Sequence, residues 1–257
     1  LPHMSFDLVL MNPPFTRDTD HEARKADVPN PMFAAFGMTA GQQKAMARAT
    51  QELLRGTSAH GNAGEASAFL VLGDHKIKDN ATLALVMPLS LMSGEAWEKS
   101  RQLLRKSYSD LIFVSIAGAR DDELAFSADT GMGECLVIGR KTPQESKRGT
   151  FVVLWQRPDS QMLGAGAADQ IRQAIAGSLR KLEDGPVGGK PLRFGDDVIG
   201  FAMDAPLPER GPWNVVRIKD AALAQVAYQM TEDGIIWLPG MTKGNAVPVT
   251  ISTVSKV

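Results

Sequence analysis

Apolar residues in this chain fall into short continuous runs separated by stretches with helical periodicity. The first run, FDLVLM at residues 6–11, is stopped by Asn12-Pro13-Pro14, because consecutive prolines cannot continue a hydrogen-bonded ladder. It predicts a buried parallel strand. From Thr16 to about Gly61 the text is polar, with AGQQKAMARATQELLRG as a helix inside a long loop. Residues 64–77 place Ala68, Phe69, Leu72 and Ile77 on one helical face. TLALVMP (82–88) predicts a second buried strand. A helix capped at Ser93 follows, carrying Trp97, Leu103 and Leu104, and DLIFVSIAG (110–118) predicts a third strand. GECLVIGRK (133–141) and TFVVLWQRP (150–158) are close enough to be antiparallel neighbours. Beyond Pro158 the pattern predicts a helix over 167–183, a Gly/Pro break, strands at 192–203 and 215–218, a helix over 220–230 and a last strand, GIIWLP. Strands alternating with helices predict an α/β sheet covered by helices on both faces.

Three regions are expected: residues 1–158 as the main domain, 159–190 as a helical connector, and 191–257 as a smaller α/β region. Of the 257 residues 44% are hydrophobic, and no apolar run reaches the roughly 18 residues that a membrane helix needs. With 28 Lys+Arg against 29 Asp+Glu, a polyanion partner has to be met by a local basic patch. Arg140, Lys141, Lys147 and Arg148 cluster at a hairpin turn, either a solvated turn or a contact to a phosphate backbone. A single cysteine, Cys135, excludes a disulfide framework and fits a reducing cytoplasm. The four histidines have no metal-binding spacing, so no metal site is expected. The glycines of GAGAAD (164–169) are expected to open a helix, and the four tryptophans to be packing residues.

The segment that carries chemistry is Asn12-Pro13-Pro14-Phe15. Open α/β sheets bind ligands at the carboxyl ends of their strands, where this turn falls. Its prolines fix the backbone and leave carbonyls without a competing amide donor. A side-chain amide oxygen and a fixed carbonyl are two acceptors for an exocyclic amino group, and an aromatic ring can stack on the attached heterocycle.

FDLVLMNPPF resembles the catalytic motif of the S-adenosylmethionine-dependent amino-methyltransferases. ASAFLVLGDHKIKDNATLALVMPLSLMSG and AFSADTGMGECLVIGRK resemble their following blocks in the same order, covering about residues 6–141. The long loop after NPPF and the region beyond residue 158 resemble the adenine-N6 DNA methyltransferases of restriction-modification systems. The resemblance implies a Rossmann-like class I methyltransferase sheet, here only its C-terminal part. It implies DNA as partner, S-adenosylmethionine as cofactor, and a target adenine flipped from the duplex. Asn12 and the Pro13 carbonyl would hold the amino group beside Pro14, Phe15 would stack on the base, Phe126 would pack against it, and Arg140 and Lys141 would touch the substrate. The glycine-rich cofactor turn and its acidic partner are expected in a missing N-terminal half, which leaves the chain inert alone and its first strand as an exposed edge. The alternatives are a non-catalytic DNA-binding or assembly module, and a methyltransferase acting on RNA or protein.

Overall fold

The computed structural model of the protein describes residues 3–15, 40–118, 124–127, 132–179 and 187–213, with a few positions up to residue 236. Its chain order is β1 (Phe6–Met11), α1 (Ala40–Leu54), α2 (Glu65–Lys76), β2 (Ile77–Pro88), α3 (Glu98–Ser107), β3 (Tyr108–Ile116), β4 (Glu134–Lys141), β5 (Arg148–Leu154), α4 (Gln161–Ala174), β6 (Val187–Phe194) and β7 (Asp197–Pro206). Two short strands, β8 (Thr231–Glu232) and β9 (Ile235–Ile236), pair with each other. The other seven strands form one mixed sheet in the order β1-β2-β4-β3-β5-β7-β6, so the α/β class stands. No described helix is long and apolar enough to cross a membrane.

The chain divides into two compact units, with β3 contributing residues to both. In the first, β1 runs parallel to β2, and β2 runs antiparallel to β4. α2 covers this sheet through Ala66, Leu70, Val71 and Gly73, all buried, and not through Ala68, Phe69 and Leu72 as the apolar count suggests. Gly73 eases this approach: a Cβ there would lie 3.0 Å from the side-chain ends of both Leu83 and Met11, so any larger residue would have to push them aside. The expected cap at Ser93 is replaced by a 3-10 turn, Glu95–Trp97, after which α3 begins without a side-chain cap.

β1 departs from the expected buried strand. Only Val9 is buried, while Leu8 is 59% and Leu10 74% exposed, because β1 ends the described sheet and has β2 on one side alone. An open apolar groove of about 250 Å³ runs along it, lined by Phe6, Leu8, Leu10, Leu72 and Lys76 among others.

In the second unit β3 and β5 are parallel and β7 is antiparallel to β5. β4 and β5 are therefore not neighbours, since β3 lies between them. The connector from Thr142 is drawn aside by the end of α3, where Thr142 donates to the Ser107 carbonyl and Ser146 to that of Arg105. The single strand expected over 192–203 is the β6–β7 hairpin. Its turn is Gly195-Asp196, and Gly195 has a φ of +61°. β7 pairs with β5 and β6 with β7, so the boundary expected at residue 158 runs through this unit. Phe113 stacks on Phe151, and Ala117, Val153, Phe201 and Met203 form a buried cluster.

The glycines of residues 164–169 lie inside α4, whose cap is Ser160 accepting from the Leu163 amide. Gly166 has a packing reason, since a Cβ there would meet the Phe194 ring at 2.5 Å. α4 begins and ends earlier than expected, at Ala174, and a π-helical turn, Ile175–Leu179, follows. Cys135, Trp97 and Trp213 are buried core residues. Most of residues 215–230, Trp237 and the alternating tail lie outside the described residues.

Candidate functional site

Parallel pairing sets the geometry of the site. Met11 stands opposite Leu85, so the chain leaves the ladder at Asn12 while β2 continues to Pro88. Both strands thus end at one edge. β4 begins at that edge, with Glu134 opposite Pro88. Within Asn12–Phe15 the burial alternates usefully: Asn12 and Pro14 are exposed, Pro13 is buried and Phe15 half-buried. A buried proline anchors the turn, and the Asn12 amide projects where a ligand can reach it.

The loop Leu89–Gly94 follows β2 at this edge. Arg101, 3% exposed, reaches in from α3, and its Nη1 donates to the carbonyls of Leu91 (2.8 Å) and Gly94 (2.9 Å). Burial lowers the pKa of this guanidinium from its ordinary value, against the opposing charge of Glu98. Gly94 also donates to the Ser90 carbonyl at 2.7 Å, and Met92 accepts from the Trp213 amide at 2.7 Å. The segment leading into α2 is pinned at Ser67, which donates to the Gly64 carbonyl and accepts from the His60 amide. Two carboxylates, Glu65 and Glu134, are buried in this unit.

Phe126 belongs to the second unit, half-buried beside buried Ala125. The segment is fastened to the end of β5 by Arg157, whose Nη1 donates to the Ser127 carbonyl. Arg140 and Lys141 are not brought to the site. Antiparallel pairing puts Arg140 opposite Thr82, about 20 Å along β4 from Glu134 at roughly 3.3 Å per residue. Arg140 faces Asp110 at 3.1 Å, and Lys141 is ion-paired with Asp74 while also bonding its carbonyl at 3.1 Å. Tyr108 donates to the same Asp74 carboxylate at 2.9 Å. Burial, then the charge and hydrogen bond of Asp74, push the Tyr108 phenol well above the usual tyrosine range.

Arg101, Gly94 and Trp213 were not legible as site residues. Arg101 shares the helical spacing of Trp97 and Leu104, but its charge reads as a solvated position, and Trp213 lies more than a hundred residues from the loop it touches. Among the described residues no group of three His, Cys, Asp or Glu side chains could hold a metal ion.

No family model and no curated protein sequence matches the chain. Solved structures with similarity include a complex of a type I restriction-modification system (15% identity, TM-score 0.44, 98% of this chain and 42% of that one). Others are the type ISP restriction-modification enzyme LlaBIII bound to DNA (15%, 0.37, 58% and 10%) and the type IIG restriction endonuclease BpuSI (13%, 0.40, 68% and 17%). The chain spans less than half the length of each. At these TM-scores the likeness carries no argument, and the function rests on the geometry of the site.

Proposed function

We propose that this chain carries the target-amine side of an S-adenosylmethionine-dependent DNA methyltransferase of the restriction-modification type, with a Rossmann-like sheet, acting on N6 of an adenine swung out of the duplex. The observation that carries this reading is the Asn12–Phe15 turn, rigid, anchored by buried Pro13 and open at Asn12, at the carboxyl ends of two parallel strands. Asn12 Oδ1 and the Pro13 carbonyl accept the two hydrogens of the exocyclic amine, and Phe15 stacks on the base. As the nitrogen gains positive charge on attack, these fixed acceptors hold its hydrogens more strongly than in the ground state, which lowers the barrier.

The cofactor, when bound, supplies the electrophilic methyl group. A nucleotide cofactor in such a sheet needs a glycine-rich turn opening from a strand into a helix. Here β1 runs into Asn12-Pro13-Pro14 and β2 into Pro88-Leu89-Ser90, and no described turn has that form. The residues in hand do not fit a complete donor cradle, so their part is confined to the amine and its base. Among the described residues β1 has a strand on one side alone, and its other side is where strands carrying the cradle would pair.

The test is Asn12→Ala in the protein that carries this chain. Loss of one preorganised acceptor lowers methyl transfer by on the order of a hundredfold or more, with binding of S-adenosylmethionine unchanged. Phe15→Trp retains activity and Phe15→Ala does not. Turnover near that of the unsubstituted protein in Asn12→Ala refutes the assignment.

A further inference from the structure

Besides the Asn12–Phe15 turn, the first unit holds a second irregular segment at the end of a strand, the loop after β2, and the target-amine reading does not use it. It is gripped at three carbonyls. Arg101 Nη1 takes those of Leu91 and Gly94, and the Trp213 amide takes that of Met92 between them. Arg101 is nearly inaccessible, and its Nε meets no acceptor among the described residues. A guanidinium withdrawn from water without a complete set of partners is costly, so its place in the fold calls for a reason beyond packing.

The second grip comes from far along the chain. Pro208–Trp213 belongs to the first unit, although the residues on either side belong to the second. This six-residue strap is closed on itself by the Trp213 indole, which donates to the Pro208 carbonyl at 3.0 Å, and Trp213 is 2% exposed. Gly211, with a φ of +82°, permits the turn. The strap docks on the middle of a loop that begins where β2 ends, at the edge to which β1 delivers Asn12.

Building on the target-amine reading, we infer that the loop Leu89–Gly94 is the second side of the purine site, facing the Asn12–Phe15 turn, and that Arg101 and Trp213 are positioning residues that hold it in place. Two carbonyls drawn onto one buried cation fix the middle and the end of the loop, at Leu91 and Gly94, and the strap holds Met92 between them. The extruded base then meets two rigid sides, and no loop has to be ordered at the moment of binding. The strap also ties this side of the site to the chain that follows β7.

The experiment has two parts. Hydrogen exchange on the 257-residue chain compares Arg101→Met, Arg101→Lys and Trp213→Ala with the unsubstituted protein. Met keeps the apolar stem and loses both bonds, whereas Lys retains a donor. Exchange is expected to speed up in peptides covering residues 89–94 for Arg101→Met and Trp213→Ala, with β2 and β4 still protected and Lys restoring part of the protection. In the protein that carries this chain, Arg101→Met should lower kcat for DNA methylation by about a hundredfold, the scale of a small misplacement in a reacting geometry. S-adenosylmethionine binding should stay unchanged, 2-aminopurine at the target position should fluoresce less, and Lys should recover part of the rate. Unchanged exchange in the loop overturns the inference, and so does faster exchange with undiminished methylation. Global loss of protection in every variant also overturns it, since the two residues would then serve the fold at large. If the unsubstituted protein methylates no duplex, the Asn12 reading itself is refuted, an outcome distinct from methylation that ignores residue 101.

Discussion

Tyr108 offers the most quantitative check on how this fold is held. It is the first residue of β3, 0% exposed, and its hydroxyl donates to Asp74 at 2.9 Å while Lys141 Nζ pairs with the same carboxylate and sits 5.5 Å from the ring centroid. Tyr108→Phe removes one oxygen and leaves the ring, the ion pair and the contact with the cation in place. A hydrogen bond to a charged acceptor contributes about 1.5–3 kcal/mol, and Asp74 keeps Lys141 as a partner, so a loss of about 2 kcal/mol is expected at pH 7. The pH dependence provides a second test. Burial and Asp74 raise the folded-state pKa above the unfolded value of about 10, so the folded state holds its phenolic proton where the unfolded state has lost it. This contribution is fully present below about pH 10 and is lost as the pH rises toward the folded pKa, at up to about 1.4 kcal/mol per pH unit. The Phe variant lacks it. The stability gap between the two proteins therefore narrows from about 2 kcal/mol at pH 7–9.5 to under about 1 kcal/mol near pH 11. Paired urea titrations across that range, followed by circular dichroism, measure the gap, and effects of alkali common to both proteins cancel. A gap that stays constant or widens with pH refutes the assignment of a buried, Asp74-bonded phenol.

Two further substitutions test packing and the open edge. Gly166→Ala places a Cβ against the Phe194 ring and should cost about 1–3 kcal/mol by overpacking; calorimetry of the variant decides, and an unchanged or raised melting temperature would show that Phe194 moves aside freely. Leu10, 74% exposed on the edge strand β1, should promote self-association of the isolated chain, and Leu10→Lys should suppress it. Sedimentation velocity over a concentration series checks this, and equal association of the two proteins counts against the edge as its cause.

The strands of the sheet were legible because each buried one is a short apolar run, and the Asn12–Phe15 turn was legible because proline leaves few conformations open. What failed depended on distance in space. β4 and β5 are six residues apart, and a short connector ordinarily means a hairpin, yet β3 takes the place between them. The buried face of α2 is not legible from the large apolar residues, because a glycine, Gly73, lies on it against Leu83 and Met11 while Leu72 faces outward. The β6–β7 turn was available in Phe194-Gly195-Asp196-Asp197, but the run on either side is apolar enough to read as one strand. At the site, residues that touch a ligand carry local chemistry that can be read, whereas Arg101 and Trp213 act on a loop whose partners only the fold selects.

The basic cluster shows the same distinction in electrostatic terms. Along the chain Arg140, Lys141 and Arg148 look like a patch for a phosphate backbone. In the fold each meets a carboxylate from elsewhere: Asp110 for Arg140, Asp74 for Lys141, Asp204 for Arg148. The pairs of Lys141 and Arg148 are largely shielded, so a phosphate would have to displace an acid already in place, and the acid left behind would repel it. Register moreover puts Arg140 opposite Thr82, midway along β2 and away from its carboxyl end at Pro88. Arg140 and Lys141 thus hold the last residues of β4, the end opposite to the one that begins at Glu134, and Arg148 holds β5 to β7 within the second unit. The Asn12–Phe15 turn differs in kind: its acceptors are uncharged, and under the proposed function that suits an exocyclic amine that is itself neutral and must keep its lone pair free for attack.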